Sequence, residues 1–380
     1  MRRVFVAGVG QTRVGRRVEC SLRDLAREAV LAALAEAEQQ RADAIVVGNM
    51  LAGELCCQSN LACLIADVGG MTGVEAIRVE AACGSGGAAL RMGTLMIGSG
   101  AYDSVLVVGV EKMTDKPSED VTAALASAGD ADYEALHQAS FAVLNGLIMQ
   151  RYLHEYHYSR DDFAGFTINA HRNALSNPMA MFRREVTSKE FADSPPVSTP
   201  IHVLDCSPIC DGAAAALLVS DQHPLATRTP AVRIAASAGS TDSIALITRR
   251  RLAWLDGAER SAKAAYAQAG LGPRDIDLFE LHDAFTIIAA LSLEAAGFVE
   301  PGQGVRFGSE QHIGLRGDIP ISTMGGLKAR GHPVGASGVY QLGEACMQLR
   351  GTATANQVDG ARIAMCQSIG GSGASVFTHI

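Results

Sequence analysis

The stretch RVEAACGSGGAALRMG, residues 78–93, places one cysteine, Cys83, between a short apolar run and a glycine-rich helical pattern. A strand that ends near Ala82 and a helix that begins at Gly84 would put Cys83 at a helix N-terminus. Free backbone N–H groups and the helix dipole there favour a thiolate, and such settings lower a cysteine pKa to about 3.5–7.5. The glycines would leave the sulfur approachable, and the backbone N–H of Cys83 is placed to stabilise an oxyanion. This placement alone leaves a nucleophile and a buried structural cysteine equally open.

Alternating strand and helix patterns surround this segment. Apolar runs at residues 4–9, 44–48, 76–82 and 104–110 predict strands, and residues 21–37 predict an amphipathic helix capped by Ser21 and Asp24. A second alternation begins near Val232, with strand patterns at 276–281, 361–371 and 374–380 and helix patterns at 257–271 and 339–349. This pattern predicts an α/β fold with a parallel sheet covered by helices. The similarity of the two halves suggests an internal duplication.

A segment of different character separates the two halves. Charged and polar residues dominate from about residue 114 to 200, and the breaker-rich sequences DKPSED and SPPVSTP bracket the segment. We interpret it as a mostly helical insertion. The predicted organisation is therefore an N-terminal half (residues 1–116 plus 203–228), an insertion (residues 117–202) and a C-terminal half (residues 229–380).

Composition narrows the classes of function. The 380 residues carry a net charge of −8 without a basic block, which argues against nucleic-acid binding. No apolar run reaches the roughly 18 residues that span a bilayer, and the apolar run near the start is too short for a signal peptide. The nine cysteines are scattered without zinc-finger spacing, which is typical of reduced thiols in a cytoplasmic enzyme. We expect no bound metal.

Two histidines follow strand or turn patterns. His332 lies in STMGGLKARGHPVGASGVYQ, residues 322–341, where a Gly/Pro-rich turn precedes a helix pattern. This setting is typical of a positioned base, although an anion-binding turn fits equally well. His282 and Asp283 lie in ELHDAFT, residues 280–286, at the end of a strand pattern. Because active sites collect at the carboxyl ends of parallel strands, His282 is a candidate, whereas Asp283 is predicted to cap a helix.

Taken together, these segments resemble the thiolase superfamily. The segments AACGSGGAAL, VVGVEKMTD, DCSPICDGAAAALLVSD, HDAF, GGLKARGHPVGASG and SIGGSGAS occur in that family's order and cover essentially the whole chain. HDAF and GGLKARGHPVGASG are most similar to the branch of sterol-carrier-protein-type and archaeal thiolases. The resemblance implies a thiolase fold, with two duplicated βαβ-rich halves in a layered αβαβα arrangement and a helical loop domain over the acyl-CoA site. It also implies a homodimer with the strand before Cys83 near the interface.

The resemblance assigns roles to individual residues. Cys83 would accept the acyl group as a thioester, and His332 would deprotonate Cys83. His282 stands where bacterial biosynthetic enzymes of the family have an asparagine that holds a catalytic water. Backbone N–H groups of Cys83, Ile369 and Gly370 would form an oxyanion hole.

The resemblance also locates the coenzyme. Coenzyme A or acyl-CoA would be a substrate, with no tightly bound cofactor. The loop-domain sequence MFRREVTSK supplies Arg183, Arg184 and Lys189, and we expect some of these cations to approach the CoA phosphates. A solvated charged face is an equally open interpretation.

The pattern departs from the family at the second catalytic cysteine. Gln367 occupies its position in the C-terminal motif, and Ala284 occupies its position in the sterol-carrier branch. Cys366 is one residue away, and a shift of one residue on a strand points the side chain to the opposite face. Cys366 is therefore predicted to pack away from the site, and it is only a weak candidate for the acid/base. A bulge before Ile369 would turn its side chain toward the site instead.

The leading hypothesis is a thiolase-like acyl-CoA C-acyltransferase of lipid metabolism, which performs 3-ketoacyl-CoA thiolysis or Claisen condensation. One alternative is a thiolase-fold retro-aldolase or acyltransferase that lacks the second cysteine and works with a zinc-ribbon/OB-fold partner protein. Another is a non-catalytic acyl-CoA or lipid-binding subunit, against which the set of Cys83, His332 and His282 argues. A Rossmann dehydrogenase is disfavoured because GVGQTRVG lacks the third glycine of that fingerprint.

Overall fold

The computed structural model describes residues 2–227 and 231–380, so the predicted boundary between residues 228 and 229 lies outside the described residues. The strands are β1 Val4–Gln11, β2 Ala44–Gly48, β3 Glu75–Val79, β4 Ser104–Glu111, β5 Pro196–Ser198, β6 Ile201–His202, β7 Gly212–Ser220, β8 Val232–Ile234, β9 Ser237–Thr241, β10 Leu278–Glu280, β11 Ala364–Gly370 and β12 Ser375–His379. The α-helices are α1 Leu22–Glu36, α2 Ala52–Cys56, α3 Leu61–Val68, α4 Ser85–Ser99, α5 Ser118–Ala126, α6 Phe141–Tyr156, α7 Ala164–Ala174, α8 Ser188–Ala192, α9 Asp256–Ala269, α10 Thr286–Ala295, α11 Gly304–Phe307, α12 Glu310–Ile313 and α13 Ser337–Leu349.

Two mixed sheets form the framework. The first has the strand order β3-β2-β4-β7-β1-β8, and in it only β2 pairs in parallel, with β3 and β4. The second has the order β10-β11-β12-β9, with one parallel pair, β10 and β11. The expectation of a parallel sheet is therefore wrong in part. Strand β4 reaches β7 through the insertion rather than a crossover helix, and β11 turns directly into β12, so neither connection requires parallel neighbours.

Helices cover both sheets and separate them. Helix α1 packs on the first sheet, α9 packs on the second, and α4 and α13 contact each other and strands of both sheets. This is the layered αβαβα arrangement that the family resemblance predicted. The capping box expected at α1 is present, since the Ser21 hydroxyl accepts from the Asp24 N–H and the Asp24 carboxylate accepts from the Ser21 N–H.

The insertion between β4 and β7 is mostly helical, as expected. It contains α5 to α8 and the short hairpin of β5 and β6. Helices α6 and α7 pack against α10, and α7 also contacts the π-helical segment Gly326–Arg330. The insertion thereby lies beside the segment that leads to His332. Among the described helices, none is long and apolar enough to cross a membrane.

Candidate active site

A tight turn holds Cys83 between β3 and α4. Strand β3 ends at Val79, earlier than the expected Ala82, and α4 begins at Ser85 with Gly84 as its N-cap. Ala82 has a φ of +52°, a left-handed conformation that costs a non-glycine residue about 1–3 kcal/mol. Hydrogen bonds maintain it, since the Gly84 N–H donates to the Ala81 carbonyl (3.0 Å) and the Ser85 hydroxyl to the Ala82 carbonyl (2.6 Å). The turn therefore fixes Cys83 on a strained loop just before the helix.

The glycines after Cys83 serve helix packing. A Cβ on Gly86 would lie 2.9 Å from the Gly335 carbonyl oxygen, and one on Gly87 would lie 2.8 Å from the Ser368 Cβ. Both contacts are closer than real Cβ atoms tolerate, so α4 needs glycine where it meets the segment before α13 and the second sheet. These two glycines thus have a packing role, and the expectation that they also keep the sulfur approachable stays a prediction.

The structure brings Cys83, His282 and His332 together. The Cys83 sulfur and one nitrogen of each imidazole lie within 4.8 Å of one another. The two rings meet edge to face, with centroids 5.0 Å apart and planes at 85°. All three side chains are buried, with exposures of 9%, 3% and 5%. This geometry suits proton exchange between a thiol and an imidazole in a dry environment.

One hydrogen bond orients His332. Its Nδ1 lies 2.7 Å from the Ser337 hydroxyl at the start of α13. Its Nε2 is buried and has no hydrogen-bond partner among the described residues. Likewise, the His282 Nδ1 is buried without a partner in residues 2–227 and 231–380. Each ring therefore keeps one nitrogen available for a bound molecule or for the cysteine.

Burial sets the protonation of all three side chains. Desolvation raises the pKa of Cys83 to about 12, and the nearby Glu111 carboxylate adds to the shift. Desolvation also lowers the pKa of His282 to about 3 and holds that of His332 well below 6.5, with the Arg330 charge acting in the same direction on both. The expected lowering of the Cys83 pKa is therefore wrong, because burial and the Glu111 charge both disfavour the thiolate. The resting site holds a neutral thiol and neutral imidazoles.

A buried carboxylate braces the turn after His332. Glu111, at the end of β4, accepts backbone N–H bonds from Met50 (3.0 Å), Leu51 (2.9 Å) and Gly335 (3.0 Å). Desolvation raises its pKa to about 7 despite these bonds. Glu111 thus ties the turn that follows His332 to the first sheet.

Asp283 links the two histidine segments. Its carboxylate accepts from the Leu327 N–H (2.7 Å) and the Ser322 hydroxyl (3.2 Å) of the segment before His332. Helix α10 begins at Thr286 with Phe285 as its N-cap, without a side-chain cap. The prediction that Asp283 caps this helix is therefore wrong. Asp283 instead connects the loop of His282 to the π-helical segment that leads to His332.

Two adjoining cavities lie at this cluster, and the inner one is lined by all three of its residues. The inner cavity has a volume of about 110 Å³, and its walls include Cys83, His282, His332, Asn145 and Gly371. The outer cavity has a volume of about 450 Å³. The two share the wall residues Leu125, Phe141, Ser207, Pro208, Ile209 and Phe285. The outer cavity therefore lies next to the inner cavity that Cys83 lines.

The outer cavity contains basic groups, but only one of the three predicted cations. Arg184 lines it together with His171 and Lys328, and Arg184 also pairs with Glu190 (3.0 Å). Arg183 and Lys189 are exposed outside the cavity wall. Arg183 donates to the Leu175 carbonyl, and Lys189 pairs with Asp193.

Cys366 lies outside the inner cavity. Its thiol donates to the Gln341 carbonyl (3.5 Å) and lines a separate cavity of about 480 Å³. Pairing between β11 and β12 runs in continuous register from Cys366 to Gly370, and Gln367 donates to the Thr378 hydroxyl (3.1 Å). Desolvation raises the Cys366 pKa well above its usual range. Neither Cys366 nor Gln367 is part of the inner wall.

The C-terminal loop lies against the Cys83 turn. Ile369 and Gly370 end β11, and Gly371, with a φ of +62°, lines the inner cavity. A Cβ on Gly84 would lie 3.2 Å from the Gly370 nitrogen. The candidate oxyanion donors are thus near Cys83, and their role remains a prediction.

Several wall residues carried no signal in the sequence. Asn145, Phe141 and Ile209 lie within helical or loop patterns that give no reason to single them out. Ser337 was part of the VGASG segment, and its contact with His332 depends on the turn between them. The sulfur and two imidazoles would also suit a soft metal ion, so the absence of a metal remains a prediction.

Comparison with known proteins identifies the family. Residues 4–222 match the family described as "Thiolase, N-terminal domain", and residues 238–380 match "Thiolase C-terminal domain-like". An acetyl-CoA acetyltransferase of Methanothermobacter thermautotrophicus is 44% identical, over 100% of this chain and 99% of that protein. Human sterol carrier protein 2 is 32% identical, over 100% of this chain and 72% of that protein. A solved structure titled "Ltp2-ChsH2(DUF35) aldolase" has a TM-score of 0.85 at 23% identity, covering 99% of this chain and 97% of that chain. The chain belongs to the thiolase family.

Proposed function

We propose that this thiolase-family acyltransferase transfers short acyl groups of CoA thioesters through a thioester on Cys83. The observation that carries the proposal is the contact of Cys83, His282 and His332 in one buried cavity. The volume of about 110 Å³ is roughly that of three to four water molecules, which suits a small acyl group such as acetyl. The 44% identical archaeal relative carries the name acetyl-CoA acetyltransferase, in agreement with this size.

The first half-reaction uses the neutral pair. As the Cys83 sulfur attacks the thioester carbonyl, Nε2 of His332 takes the thiol proton, and the carbonyl oxygen becomes an oxyanion. Backbone N–H groups of Cys83 and of the Ile369–Gly370 segment stabilise that oxygen. Collapse of the intermediate breaks the carbon–sulfur bond to CoA, whose sulfur leaves with the proton from His332. Because the pKa of Cys83 is raised, proton transfer accompanies the attack.

The second half-reaction needs an acid/base for the α-carbon of the second substrate. The two family positions for a second cysteine are Ala284, which lines the inner cavity, and Gln367, which does not. Cys366 lies elsewhere. His282 lines the cavity and has an unpartnered Nδ1, so we assign the proton transfer to His282 or to a water that it holds. Turnover in either direction, thiolysis or Claisen condensation, is then slower than acylation.

Coenzyme A would occupy the outer cavity as a substrate, with no tightly bound cofactor. Arg184 and Lys328 line that cavity and provide the cations for the anionic coenzyme, whereas His171, whose pKa burial lowers to about 4, is a neutral member of the wall. Arg183 and Lys189 lie outside it and would contribute only long-range attraction. An Arg184→Ala variant is expected to weaken CoA binding and its salt dependence more than a Lys189→Ala variant.

We also propose the division into two thiolase halves and a covering insertion, with the boundaries predicted from sequence. The two sheets and the helical insertion between β4 and β7 support it.

All nine cysteines are free, which supports a cytoplasmic enzyme of lipid metabolism. A zinc-ribbon/OB-fold partner protein is a further proposal, because the neighbour in fold carries DUF35 in its title.

The test has two parts: the CoA thiol released from acetyl-CoA, and the absorbance of acetoacetyl-CoA after mixing with CoA and the enzyme. We expect acetyl-CoA to release a burst of CoA about equal to the enzyme concentration. The absorbance of acetoacetyl-CoA should fall slowly and without a burst, in both the presence and absence of co-purified proteins, because its cleavage needs the proton transfer at the α-carbon before Cys83 is acylated. A His332→Ala variant should lose about 10²–10⁴-fold of the burst rate. Cys346→Ala is the matched control, since Cys346 is buried outside the inner cavity. An unchanged burst in His332→Ala would contradict the assignment of the base.

A further inference from the structure

Asn145 is a buried polar residue in the wall of the inner cavity that the mechanism above does not use. It lies on α6 and is 2% exposed. Its amide nitrogen donates to the Phe141 carbonyl (2.9 Å), whereas its Oδ1 is buried without a hydrogen-bond partner in the described part of the chain. The bond to Phe141 fixes the orientation, because exchanging the two amide atoms would place two oxygens against each other. Asn145 therefore lines the cavity and carries an acceptor that no described group uses.

An unused buried acceptor at a ligand cavity needs an explanation, since nearly all buried polar atoms in folded proteins have partners. Asn145, like Cys83 and Ile288, lines the inner cavity and is not part of the outer cavity's wall. The inner wall around it is largely apolar, with Met113, Ile288 and Val334. A carboxamide oxygen only accepts, so it cannot stabilise the oxyanion of the reaction. A group in the cavity that satisfies it brings an O–H or N–H, and it would lie in the same cavity as the thioester because Cys83 lines that cavity too.

We propose that Asn145 is a specificity-determining residue, whose Oδ1 accepts a hydrogen bond from a donor that the bound acyl thioester carries near its sulfur. This inference rests on the proposed function, because it assumes that the acyl thioester occupies the inner cavity. Two parts of the substrate supply such a donor. One is a hydroxyl on the acyl chain, and the other is the amide N–H nearest the thioester in the pantetheine arm. A plain acyl chain attached to a thioester without that amide leaves Asn145 unsatisfied.

The experiment compares pairs of thioesters that differ in one donor. The hydroxyl pair is 3-hydroxybutyryl-CoA and butyryl-CoA, and the amide pair is S-acetyl-N-acetylcysteamine and its analogue with an ester in place of the amide. Acylation of Cys83 is followed by the mass of the intact protein. In the wild type, one pair should favour the donor-bearing member by about tenfold, the value of one neutral hydrogen bond. The ratio should approach one in Asn145→Leu, which keeps the size of the side chain.

Folding is controlled separately. Asn145→Ala serves as the second variant, and Met149→Ala is the matched control, because Met149 is buried on the same helix outside both cavities. Met149→Ala should lower thermal stability without changing either ratio. If the acylation ratio of the hydroxyl pair or of the amide pair falls toward one in the Asn145 variants, the inference is supported and the donor is identified. Ratios that are the same in the wild type and in both Asn145 variants, while Cys83 is still acylated, would overturn it. Failure of the wild type to acylate would instead contradict the proposed function.

Discussion

At the scale of single residues, the protonation of the site follows from its dryness. The thiol and both imidazoles are buried in one cluster, and each charged form would lose its hydration. A cysteine protease-like ion pair is therefore absent at rest. The site instead holds a neutral base beside a neutral thiol, and the charge appears only when a thioester carbonyl is present to receive it.

This protonation predicts an unusual pH profile. Acylation by acetyl-CoA should stay level as the pH falls through 6.5, where an unperturbed imidazole would become half protonated. The reason is that His282 has a pKa of about 3 and His332 one well below 6.5, so both stay neutral bases. Glu111 has a pKa of about 7, and its ionised form disfavours negative charge on the Cys83 sulfur. Acylation should therefore become slightly slower as the pH rises above 7.

The profile is measured by acid quench and intact-mass analysis at pH values from about 5 to 8, with folding checked by circular dichroism at each value. A sigmoidal loss of acylation centred near 6.5 would show that an ordinary, hydrated histidine is the base.

The residue types of the site could be predicted from the sequence, but their protonation could not. Cys83, His282 and His332 lie at the ends of recognisable strand, turn and helix patterns, which local sequence encodes. The depth of burial that sets the pKa of Cys83 depends on the insertion and the second sheet, which are distant in the chain. For the same reason, Asn145 and the linking role of Asp283 could not be predicted.

At the scale of elements, strand β11 decides which side chains reach the site. Its pairing with β12 shows no shift from Cys366 to Gly370, and Cys366 contacts the Gln341 carbonyl on the side of α13. The alternation of side chains along the strand therefore holds, without the bulge that would have turned Cys366 toward Cys83.

Replacing Cys366 by alanine should leave acylation within about twofold and lower stability by about 1 kcal/mol, since one small buried group is removed. The measurements are the burst of CoA released from acetyl-CoA, the steady-state thiolysis of acetoacetyl-CoA and the urea midpoint. Cys346→Ala, another buried thiol on the wall of the same separate cavity, is the control. A folded Cys366→Ala enzyme that has lost steady-state thiolysis would mean that Cys366 is the second catalytic cysteine.

The elements themselves were largely predictable, whereas their pairing was not. Apolar runs and the Ser21 cap predicted strands and helices close to those observed, because these signals are local. Whether β4 pairs in parallel or antiparallel with β7 depends on the path of the insertion, on which periodicity carries no information. The glycines after Cys83 stand out in the sequence, but the reason for Gly86 and Gly87, the approach of α4 to Gly335 and Ser368, depends on the packed structure.

At the scale of the whole molecule, β3 leaves an open sheet edge. It is the first strand of its sheet, pairs with β2 alone among the strands of residues 2–227 and 231–380, and is partly exposed along its length. Exposed edges of this kind favour pairing with another chain. Two copies joined along β3 would extend the sheet and place both Cys83 turns near the interface.

We therefore expect a homodimer. Light scattering at micromolar concentration should give about twice the monomer mass of 39.7 kDa. Ile77→Lys, which places a charge on the edge strand, should shift the equilibrium toward monomer, whereas the same change at the exposed Leu31 of α1 should not. A stable wild-type mass near 39.7 kDa would contradict the dimer.

Whether Cys83 carries the acyl group is tested by the intact mass of the protein after mixing with acetyl-CoA, followed by peptide mapping. We expect one added acetyl group on Cys83 in the wild type and none in Cys83→Ala. Mapping is essential because Cys57 and Cys63 are exposed and open to chemical acetylation. A folded wild-type enzyme that gains no acetyl group, or a Cys83→Ala variant that gains it as fast, would contradict the account.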